Sequence, residues 1–287
     1  MPWVNFHSHS LFSDGKAAPE EFIKSAISKK FPAYGYSCHS PVPFPTKWNM
    51  DAGKLQEYFD EITRIRLVYN DIIEVYAGLE LDYINGVPHL PVSLLKKMGF
   101  DYILGSVHFI DRYPDGSYFC FDGKPDIFFQ GIEIIYKNDF RKAIKGYYEK
   151  TRMMIDKDCP DIIGHMDKIK MHNTVKPYFD EEEEWYRKQV EETLDLIAEK
   201  GCIMEVSSRG LYKHNPPLLY PAVWVVKQAC LRRIPVMLNS DAHHPDEIDC
   251  YFEETALMLK QTGYKTLRVL HKGSWQDMPF NETGILY

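Results

Sequence analysis

The segment WVNFHSH, residues 3–9, shows the pattern from which the fold of this chain is predicted. Trp3 to Phe6 form a short apolar run typical of a buried strand, and His7 and His9 follow it at once. Similar short runs recur along the chain, with amphipathic segments between them. They are Ala33–Cys38, Ile72–Leu81, Tyr102–Val107, Asp161–Gly164, Cys202–Ser207 and Ile234–Asn239. Strands that alternate with helices in this way predict a parallel sheet, and a length of 287 residues favours closure into a barrel.

Helices are predicted where apolar residues repeat every three or four positions. These segments are Pro19–Lys30, Asp51–Asn70, Pro91–Met98, Ile132–Ile155, Asp180–Lys200, Pro221–Arg232 and Glu247–Gln261. Residues 109–130 interrupt the alternation and are rich in Asp, Gly, Pro and aromatic residues, so a long loop or hairpin insertion is expected there. Thr266 to Leu270 are a candidate closing strand. No linker, low-complexity tract or internal repeat is visible, so residues 1–287 are predicted to form one domain.

The composition is that of a folded, acidic protein. Hydrophobic residues make up 45% of the chain and aromatic residues 14%, which is enough for a sizeable core. The net charge of −7 argues against a general nucleic-acid binder, and an anionic substrate would need local positive charge, for which bound metal ions are a source. The six cysteines form no CxxC pair, and neither a secretory signal nor a run of about 18 apolar residues is visible. We expect a cytoplasmic protein with free thiols and no membrane partner; the oligomeric state is left open.

Histidines and carboxylates follow the predicted strands. They are His7, His9, His39, Glu80, His108, His165, Asp241 and His243. The carboxyl ends of the strands in a parallel barrel form one rim, so these side chains are expected to converge. The two histidines of HxH point to the same face of an extended segment, and the two oxygens of Glu80 could bridge a metal pair. Imidazole and carboxylate ligands together suit Zn, Mn and Fe(II).

The other histidines are interpreted as loop or core residues with ordinary hydrogen bonds. They are His89, His172, His214 and His271. His244 adjoins His243 but would point away from it. Asp14, in the turn SDG, is either a turn aspartate or a further metal ligand.

Seven short motifs hold the candidate ligands. They are HSH (7–9), SDG (13–15), CHS (38–40), GLELDY (78–83), GSVH (105–108), GHMD (164–167) and SDAH (240–243). In this order, over nearly the whole chain, the set resembles the polymerase-and-histidinol-phosphatase, or PHP, superfamily. The segments CHSPVPFPTKW (38–48) and GSVHFID (105–111) resemble its histidinol-phosphatase branch more closely.

This resemblance implies a distorted (β/α)7 barrel of the PHP type that holds two or three divalent metal ions, either Zn, Mn or Fe. The implied ligands of the first ion are His7, His9, Glu80 and Asp241. Those of the second ion are Glu80, His108 and His165. Those of the third are Asp14, His39 and His243. Some relatives have a histidine at the position of Asp14, and an aspartate there can also ligate a metal ion.

The resemblance also implies hydrolysis of L-histidinol phosphate to L-histidinol and phosphate, in histidine biosynthesis, by in-line attack of a metal-bridging hydroxide. Asp14 or His243 would protonate the leaving group where a third ion is absent. Arg209 follows the sixth predicted strand and is expected to contact the phosphate, with Lys213 as a weaker candidate. Asp167 is expected to orient a metal ligand.

The predicted insertion follows His108 and should overhang the rim. Its aromatic residues could enclose a substrate, and its acids could pair with the ammonium or imidazolium group of histidinol phosphate. The residues concerned are Phe109, Tyr113, Tyr118, Phe119 and Phe121, and the acids Asp111, Asp115 and Asp122. The alternative is that the aromatic side chains only pack over the barrel.

Three other functions are compatible with the motifs. The first is a PHP phosphatase or phosphodiesterase that acts on another small phosphate ester or on a phosphotyrosyl protein. The second is a non-catalytic metal-binding scaffold, which predicts lost ligands. The third is hydrolysis of a carbon–nitrogen bond, as in amidohydrolases, which share HxH on a barrel but resemble this chain less beyond that motif.

Overall fold

The computed structural model describes residues 2–286. The strands, in chain order, are β1 (Ala33–Tyr36), β2 (Glu74–Asp82), β3 (Tyr102–Ser106), β4 (Phe109–Arg112), β5 (Tyr118–Cys120), β6 (Ile162–Ile163), β7 (Ile203–Ser207), β8 (Val236–Asn239), β9 (Thr266–His271), β10 (Ser274–Asn281) and β11 (Gly284–Ile285). The helices are α1 (Pro19–Ser28), α2 (Leu55–Tyr69), α3 (Val92–Met98), α4 (Pro125–Tyr136), α5 (Phe140–Lys157), α6 (Glu184–Lys200), α7 (Arg209–Lys213), α8 (Val223–Leu231) and α9 (Phe252–Thr262). Short 3-10 turns lie at Ala52–Lys54, Lys168–Lys170 and Pro245–Glu247.

Six of the strands form a curled parallel sheet in the order β1-β2-β3-β6-β7-β8. Helices connect consecutive strands of this sheet, as parallel pairing requires. The chain within the described residues has no helix that is both long and apolar enough to span a membrane.

The N-terminal segment lies between the first and last strands of the sheet. Asn5 pairs with Tyr34 of β1, and Ser8 pairs with Ala242 just beyond β8. The predicted strand Trp3–Phe6 is therefore present only as isolated bridges and not as a regular strand. The reason is that side chains replace part of the backbone ladder: Asn239 Oδ1 accepts from the backbone N–H of Phe6 at 2.9 Å, and Asn5 Oδ1 accepts from that of His7 at 3.1 Å.

One tyrosine crosses the interior below this segment. The Tyr102 hydroxyl lies 2.6 Å from the carbonyl oxygen of Phe6 and 2.9 Å from that of Tyr36. The Tyr102 side chain leaves room only for glycine at one position of β1 and one position of β2. A Cβ atom would approach Tyr102 atoms to 2.5 Å at Gly35 and to 2.2 Å at Gly78. The sequence places glycine at the positions where a large side chain fills the barrel.

The C-terminal part differs from the single closing strand that was expected. β9, β10 and β11 form an antiparallel sheet. Trp275 of β10 packs against Phe6 and Tyr102, with ring centroids 6.4 and 6.3 Å apart. The backbone N–H of Ile285 donates to the carbonyl oxygen of Pro2. This sheet covers the end of the barrel that is formed by the amino ends of the parallel strands. The end formed by their carboxyl ends is open, and a functional site is expected there.

The predicted insertion and the helix after it also need correction. Residues 109–120 form the β4–β5 hairpin, but residues 125–130 are already the first turns of α4. The predicted helix Ile132–Ile155 is two helices, because Lys137 and Asn138 both adopt positive φ angles, +55° and +65°. Neither residue is a glycine or proline, so the break had no strong sequence signal.

Candidate metal centre

The strands deliver the expected ligands to one rim of the barrel. His39 follows β1, Glu80 lies near the end of β2, His108 follows β3 and His165 follows β6. Asp241 and His243 follow β8, and the N-terminal segment brings His7 and His9 between β8 and β1. Asp14 lies in the turn just beyond that segment and is 26% exposed, whereas the side chains of His7, His9 and Glu80 are 1% exposed or less.

The first cluster consists of His7, His9, Glu80 and Asp241. His9 Nε2 lies 3.1 Å from His7 Nε2 and 3.1 Å from Asp241 Oδ1. Glu80 Oε2 lies 3.4 Å from each of the two Nε2 atoms. A tetrahedral ion with bonds of roughly 2.0–2.1 Å separates its ligands by roughly 3.3–3.4 Å. The ligand atoms of His7, His9 and Asp241 all lie within 4.8 Å of one another, and Glu80 Oε2 lies beside both imidazoles, so these residues can hold one ion.

The second cluster uses the other oxygen of Glu80. Oε1 lies 3.2 Å from His165 Nε2 and 3.8 Å from His108 Nε2, and it accepts a hydrogen bond from the Ser106 hydroxyl at 2.6 Å. Glu80 thus presents one oxygen to each cluster, which is the geometry of a bridging carboxylate.

The third cluster lies around Asp14. Its Oδ2 is 3.1 Å from His243 Nε2, and its Oδ1 is 3.8 Å from His9 Nδ1 and 4.0 Å from His39 Nε2. His39 is shared with the neighbouring clusters, because its Nδ1 lies 3.0 Å from Glu80 Oε2. The groups His9–Asp14–His39–His243, His7–His9–Asp241 and His39–Glu80–His108 each keep their ligand atoms within 4.8 Å of one another.

Several ligand atoms are buried without a hydrogen-bond partner within the described residues. They are His9 Nδ1, Asp14 Oδ1, His39 Nδ1, Glu80 Oε2 and His108 Nε2. A buried polar atom that lacks a partner costs about 1–3 kcal/mol. These unpaired atoms belong to imidazoles and carboxylates that lie close together, so they are suited to ligate divalent cations.

Some groups in the clusters already have the charge state of a metal ligand. Burial, together with His243 and His39, lowers the pKa of His9 to about 3, so this imidazole is neutral. Burial opposes ionisation of Glu80, but His39 and His7 hold its pKa well below the usual range. Burial likewise opposes ionisation of Asp241, whose pKa is kept low by Arg209 and His7. Neutral imidazole and ionised carboxylate are the forms that ligate metals. Burial opposes protonation of His7 and His39, but Glu205 and Glu80, respectively, hold their pKa above the usual range, so a bound ion would have to displace a proton from each.

A model of the PHP domain family matches residues 5–209. The chain belongs to the PHP domain family. Asp241 and His243 lie beyond the matched stretch, and the fold brings them back to the first and third clusters.

Sequence similarity to two named proteins extends over most of this PHP protein. A protein of Deinococcus radiodurans named "Probable histidinol-phosphatase" is 25% identical over 93% of this chain and 96% of its own. The histidinol-phosphatase of Bacillus subtilis is 25% identical over 81% of this chain and 90% of its own.

Two solved structures share the fold. A candidate histidinol phosphatase from Listeria monocytogenes is 20% identical, with a TM-score of 0.76 over 88% of this chain and 99% of that one. The histidinol phosphate phosphatase of Lactococcus lactis, solved with zinc, L-histidinol and phosphate, is 18% identical, with a TM-score of 0.67 over 99% of each chain. The predicted fold class, a distorted α/β barrel of the PHP type, is confirmed.

Two buried carboxylates that support the PHP ligands were missed in the sequence. Asp82 Oδ1 accepts from His108 Nδ1, and Asp82 Oδ2 lies 3.3 Å from His39 Nδ1. Glu205 contacts His7 Nδ1 at 2.6 Å. Asp82 was accessible to the period-two argument used for HxH, because it lies two residues after Glu80 on the same strand. The signal for Glu205 is a lone acid inside an apolar strand.

A cavity of about 280 Å³ opens directly above the clusters. Its wall includes Trp48, Cys120, Asp122, Lys168, Arg209 and His214. Lys168 is buried and pairs with Asp122, Nζ to Oδ2, at 2.6 Å. Arg209 Nη1 donates to His243 Nδ1 at 2.8 Å, and its Nε lies 3.5 Å from Asp241 Oδ2. Lys168 and Arg209 are therefore two cations that face the ligand clusters, and only Arg209 was predicted from the sequence.

Other predicted residues have different surroundings. Lys213 lines the cavity but is ion-paired with Glu247. Asp167 pairs with Lys170 Nζ at 2.7 Å and accepts from the backbone N–H of Ala222 at 2.8 Å, so it supports the chain after β6 instead of a ligand.

The histidines interpreted as structural divide into two groups. His89 lies 3.1 Å from Asp158, and His172 lies 3.2 Å from the carbonyl oxygen of Phe121, as expected of structural residues. His271 lies 2.8 Å from Glu74, and His244 is exposed. His214, by contrast, lines the cavity.

The aromatic residues of the predicted insertion do not enclose the cavity. Phe119 and Phe121 are fully buried in the core, and Phe109 stacks on Trp48 at 5.3 Å. The acids Asp111 and Asp115 are exposed. Of residues 109–130, the cavity wall contains only Cys120, at the end of β5, and Asp122, just after it.

Proposed function

We propose that this protein is a metal-dependent phosphoric monoester hydrolase that converts L-histidinol phosphate to L-histidinol and phosphate. The observation that carries the proposal is the set of adjoining ligand clusters around Glu80, next to a small cavity whose wall contains Lys168, which is buried, and Arg209, which is partly buried. The names of the relatives and the zinc, histidinol and phosphate of the Lactococcus lactis structure support the choice of substrate.

The proposed cofactors are two or three divalent ions, either Zn, Mn or Fe. His7, His9, Glu80 and Asp241 would hold the first. Glu80, His108 and His165 would hold the second. Asp14, His39 and His243 would hold the third. When bound, such ions activate water for attack on phosphorus and neutralise the phosphate oxygens.

Lys168 and Arg209 are proposed to bind the phosphate. Burial opposes the charge on Lys168, but Asp122 and Asp241 raise its pKa above the usual range, so the side chain is cationic. Burial likewise lowers the pKa of Arg209, but Asp241 raises it above the usual range, so this side chain is also cationic. Both lie on the cavity wall, where a guanidinium and an ammonium can contact separate oxygens of one phosphate. Lys213, held by Glu247 at the edge, is the weaker candidate.

The rest of the substrate would lie between Trp48 and Asp122. The Asp122 carboxylate is ionised, because Lys168 and His108 lower its pKa against the effect of burial. It can pair with the ammonium or imidazolium group of histidinol phosphate. The modest cavity volume, about 280 Å³, suits a small ester better than a phosphotyrosyl protein.

Where the third ion is absent, Asp14 and His243 are the proposed groups for protonation of the leaving alkoxide. Arg209 Nη1 donates to His243 Nδ1, so the Nε2 atom is the one that faces Asp14, at 3.1 Å. Burial opposes ionisation of Asp14, but His243, His39 and His9 hold its pKa low. This arrangement favours His243 Nε2 as the proton donor, with Asp14 as the group that orients it.

We further propose that residues 1–287 form one domain and that the protein is cytoplasmic. One continuous hydrophobic cluster from Trp3 to Ile285 supports the first point. The six cysteines are all free, in keeping with a reducing compartment.

The test is phosphate release by metal-reconstituted protein from L-histidinol phosphate, an aryl phosphate and a nucleotide diester. A kcat/KM at least about 100-fold higher for L-histidinol phosphate is expected, since specificity is measured by that ratio. Comparable rates on all three would reject the substrate. No turnover by protein with bound metal would reject the hydrolase.

A further inference from the structure

Glu205 connects the first and second metal clusters without belonging to either. It lies on β7, and its side chain is 0% exposed. Oε1 accepts from His7 Nδ1 at 2.6 Å, and Oε2 accepts from the backbone N–H of His165 at 2.9 Å. His7 is a proposed ligand of the first ion and His165 of the second, so one carboxylate contacts both.

The remaining contacts of Glu205 fix its orientation. The amide of Asn239 donates to Oε1 at 3.0 Å, while the Oδ1 atom of Asn239 accepts from the backbone of Phe6. Both carboxylate oxygens are thus occupied by donors from three different parts of the chain. Glu205 is therefore placed to hold its neighbours and not to ligate an ion.

The two contacts act on the ligands in different ways. On His7, acceptance at Nδ1 keeps the proton there and leaves the lone pair of Nε2 directed at Glu80 and Asp241. On His165, the contact is to the main chain, which has a φ of +22°, a conformation that L residues rarely adopt. Such a strained backbone persists only where its surroundings hold it.

We propose that Glu205 is a positioning residue that couples the first two metal sites, by fixing the tautomer of His7 and the backbone of His165 at the same time. This inference rests on the metal centre of the proposed function and deepens it. It predicts that a change at Glu205 weakens two binding steps together, although Glu205 ligates neither ion.

The test is zinc titration of metal-free protein against a chromophoric chelator, with zinc content per chain measured in parallel. In Glu205→Gln the shape is kept, but one end of the amide can only donate, so one of the contacts to His7 and His165 is lost and the other loses the carboxylate charge that strengthens it. We expect two zinc-binding steps to weaken about 10- to 100-fold. Weakening of one step alone, or of none, would overturn the coupling.

Two further variants separate positioning from general loss of structure. Asp101→Asn removes the charge of another partly buried carboxylate, which accepts from the backbone N–H of Ala77 and pairs with Arg66 at the far end of the barrel. It should leave every zinc-binding step unchanged, and an equal loss there would overturn the proposal. If Glu205→Gln fails to fold, Asn239→Ala tests the same idea, because it loosens Glu205 but keeps its charge. It should weaken the same two steps by a smaller factor, and unchanged zinc affinity would overturn the proposal.

The experiment uses no substrate, so it is independent of the reaction. Wild-type protein that binds zinc in the expected steps but does not hydrolyse L-histidinol phosphate would reject the proposed substrate and leave the role of Glu205 in place.

Discussion

Glu80 is the residue on which the proposed site depends most. Its two oxygens face different clusters, and its side chain is 1% exposed on a strand that also carries Asp82. Glu80 was predicted as a ligand from the sequence, whereas Asp82 was not, although it lies two residues later on the same face of the strand. The ligands could be predicted from residue type and spacing, while the contacts of Asp82 and Glu205 with His108, His39 and His7 join distant parts of the chain and are visible only in the fold.

Replacement of Glu80 by glutamine should abolish most of the activity. An amide nitrogen cannot ligate, so one cluster loses its shared oxygen. We expect kcat/KM to fall by at least about 100-fold and zinc content to drop, since each ligand contributes strongly to affinity. Asp115→Asn, an exposed turn acid, is the control and should behave as wild type. Full activity of Glu80→Gln would refute the bridging role.

Lys168 provides a second test at this scale. Lys168→Met keeps the length of the side chain but removes the charge proposed to contact phosphate. A hydrogen bond to a charged group contributes about 1.5–3 kcal/mol, so kcat/KM should fall roughly 10- to 100-fold at unchanged zinc content. Lys213→Met should have an effect below about threefold, because the Lys213 side chain is 40% exposed and its charge is screened by solvent, whereas that of Lys168 is 8% exposed. Equal losses in the two variants would argue that the phosphate is bound elsewhere.

At the scale of elements, the periodicity of apolar residues predicted most strands and helices. It failed where side-chain hydrogen bonds or unusual backbone conformations determine the local structure. The N-terminal segment has strand composition, yet Asn5 and Asn239 side chains replace backbone partners, which no local pattern reveals. The break between α4 and α5 lies at Lys137 and Asn138, two exposed residues with positive φ angles, and neither a glycine nor a proline marks it. The parallel sheet and its curling into a barrel could be predicted from the alternation of strands and helices, but these interruptions could not.

The glycine on β2 tests how closely the elements must approach. In Gly78→Ala the new Cβ would lie 2.2 Å from the Tyr102 ring, a side chain with no free space to move into. Overpacking of this kind costs about 1–3 kcal/mol, and we expect the upper part of that range in urea unfolding. Gly123→Ala, where the nearest atom is 3.9 Å away, should change stability by less than about 0.5 kcal/mol. A neutral Gly78→Ala would show that Tyr102 does not fill the barrel.

For the whole molecule, metal binding and stability should be linked, because the proposed ligands come from both ends of the barrel sheet and from the segment between them. An ion that binds only the folded chain adds RT ln(1 + [L]/Kd), about 2.7 kcal/mol at 100 Kd. We therefore expect a clear rise in Tm when zinc is added to metal-free protein, measured by calorimetry. Glu80→Gln should gain much less. Zinc that binds without any change in Tm would contradict the linkage.

The N-terminal segment that lies between β1 and β8 has a consequence for the newborn chain. The nascent chain contains His7 and His9 well before it contains Asp241, which is added 234 positions after His7. At about 5–20 residues per second, translation takes on the order of 10–50 s to cover that distance. The first cluster cannot exist during that interval. The first ion can therefore be bound in its full site only after Asp241 has emerged, and until then His7 and His9 lack one of their proposed partner ligands.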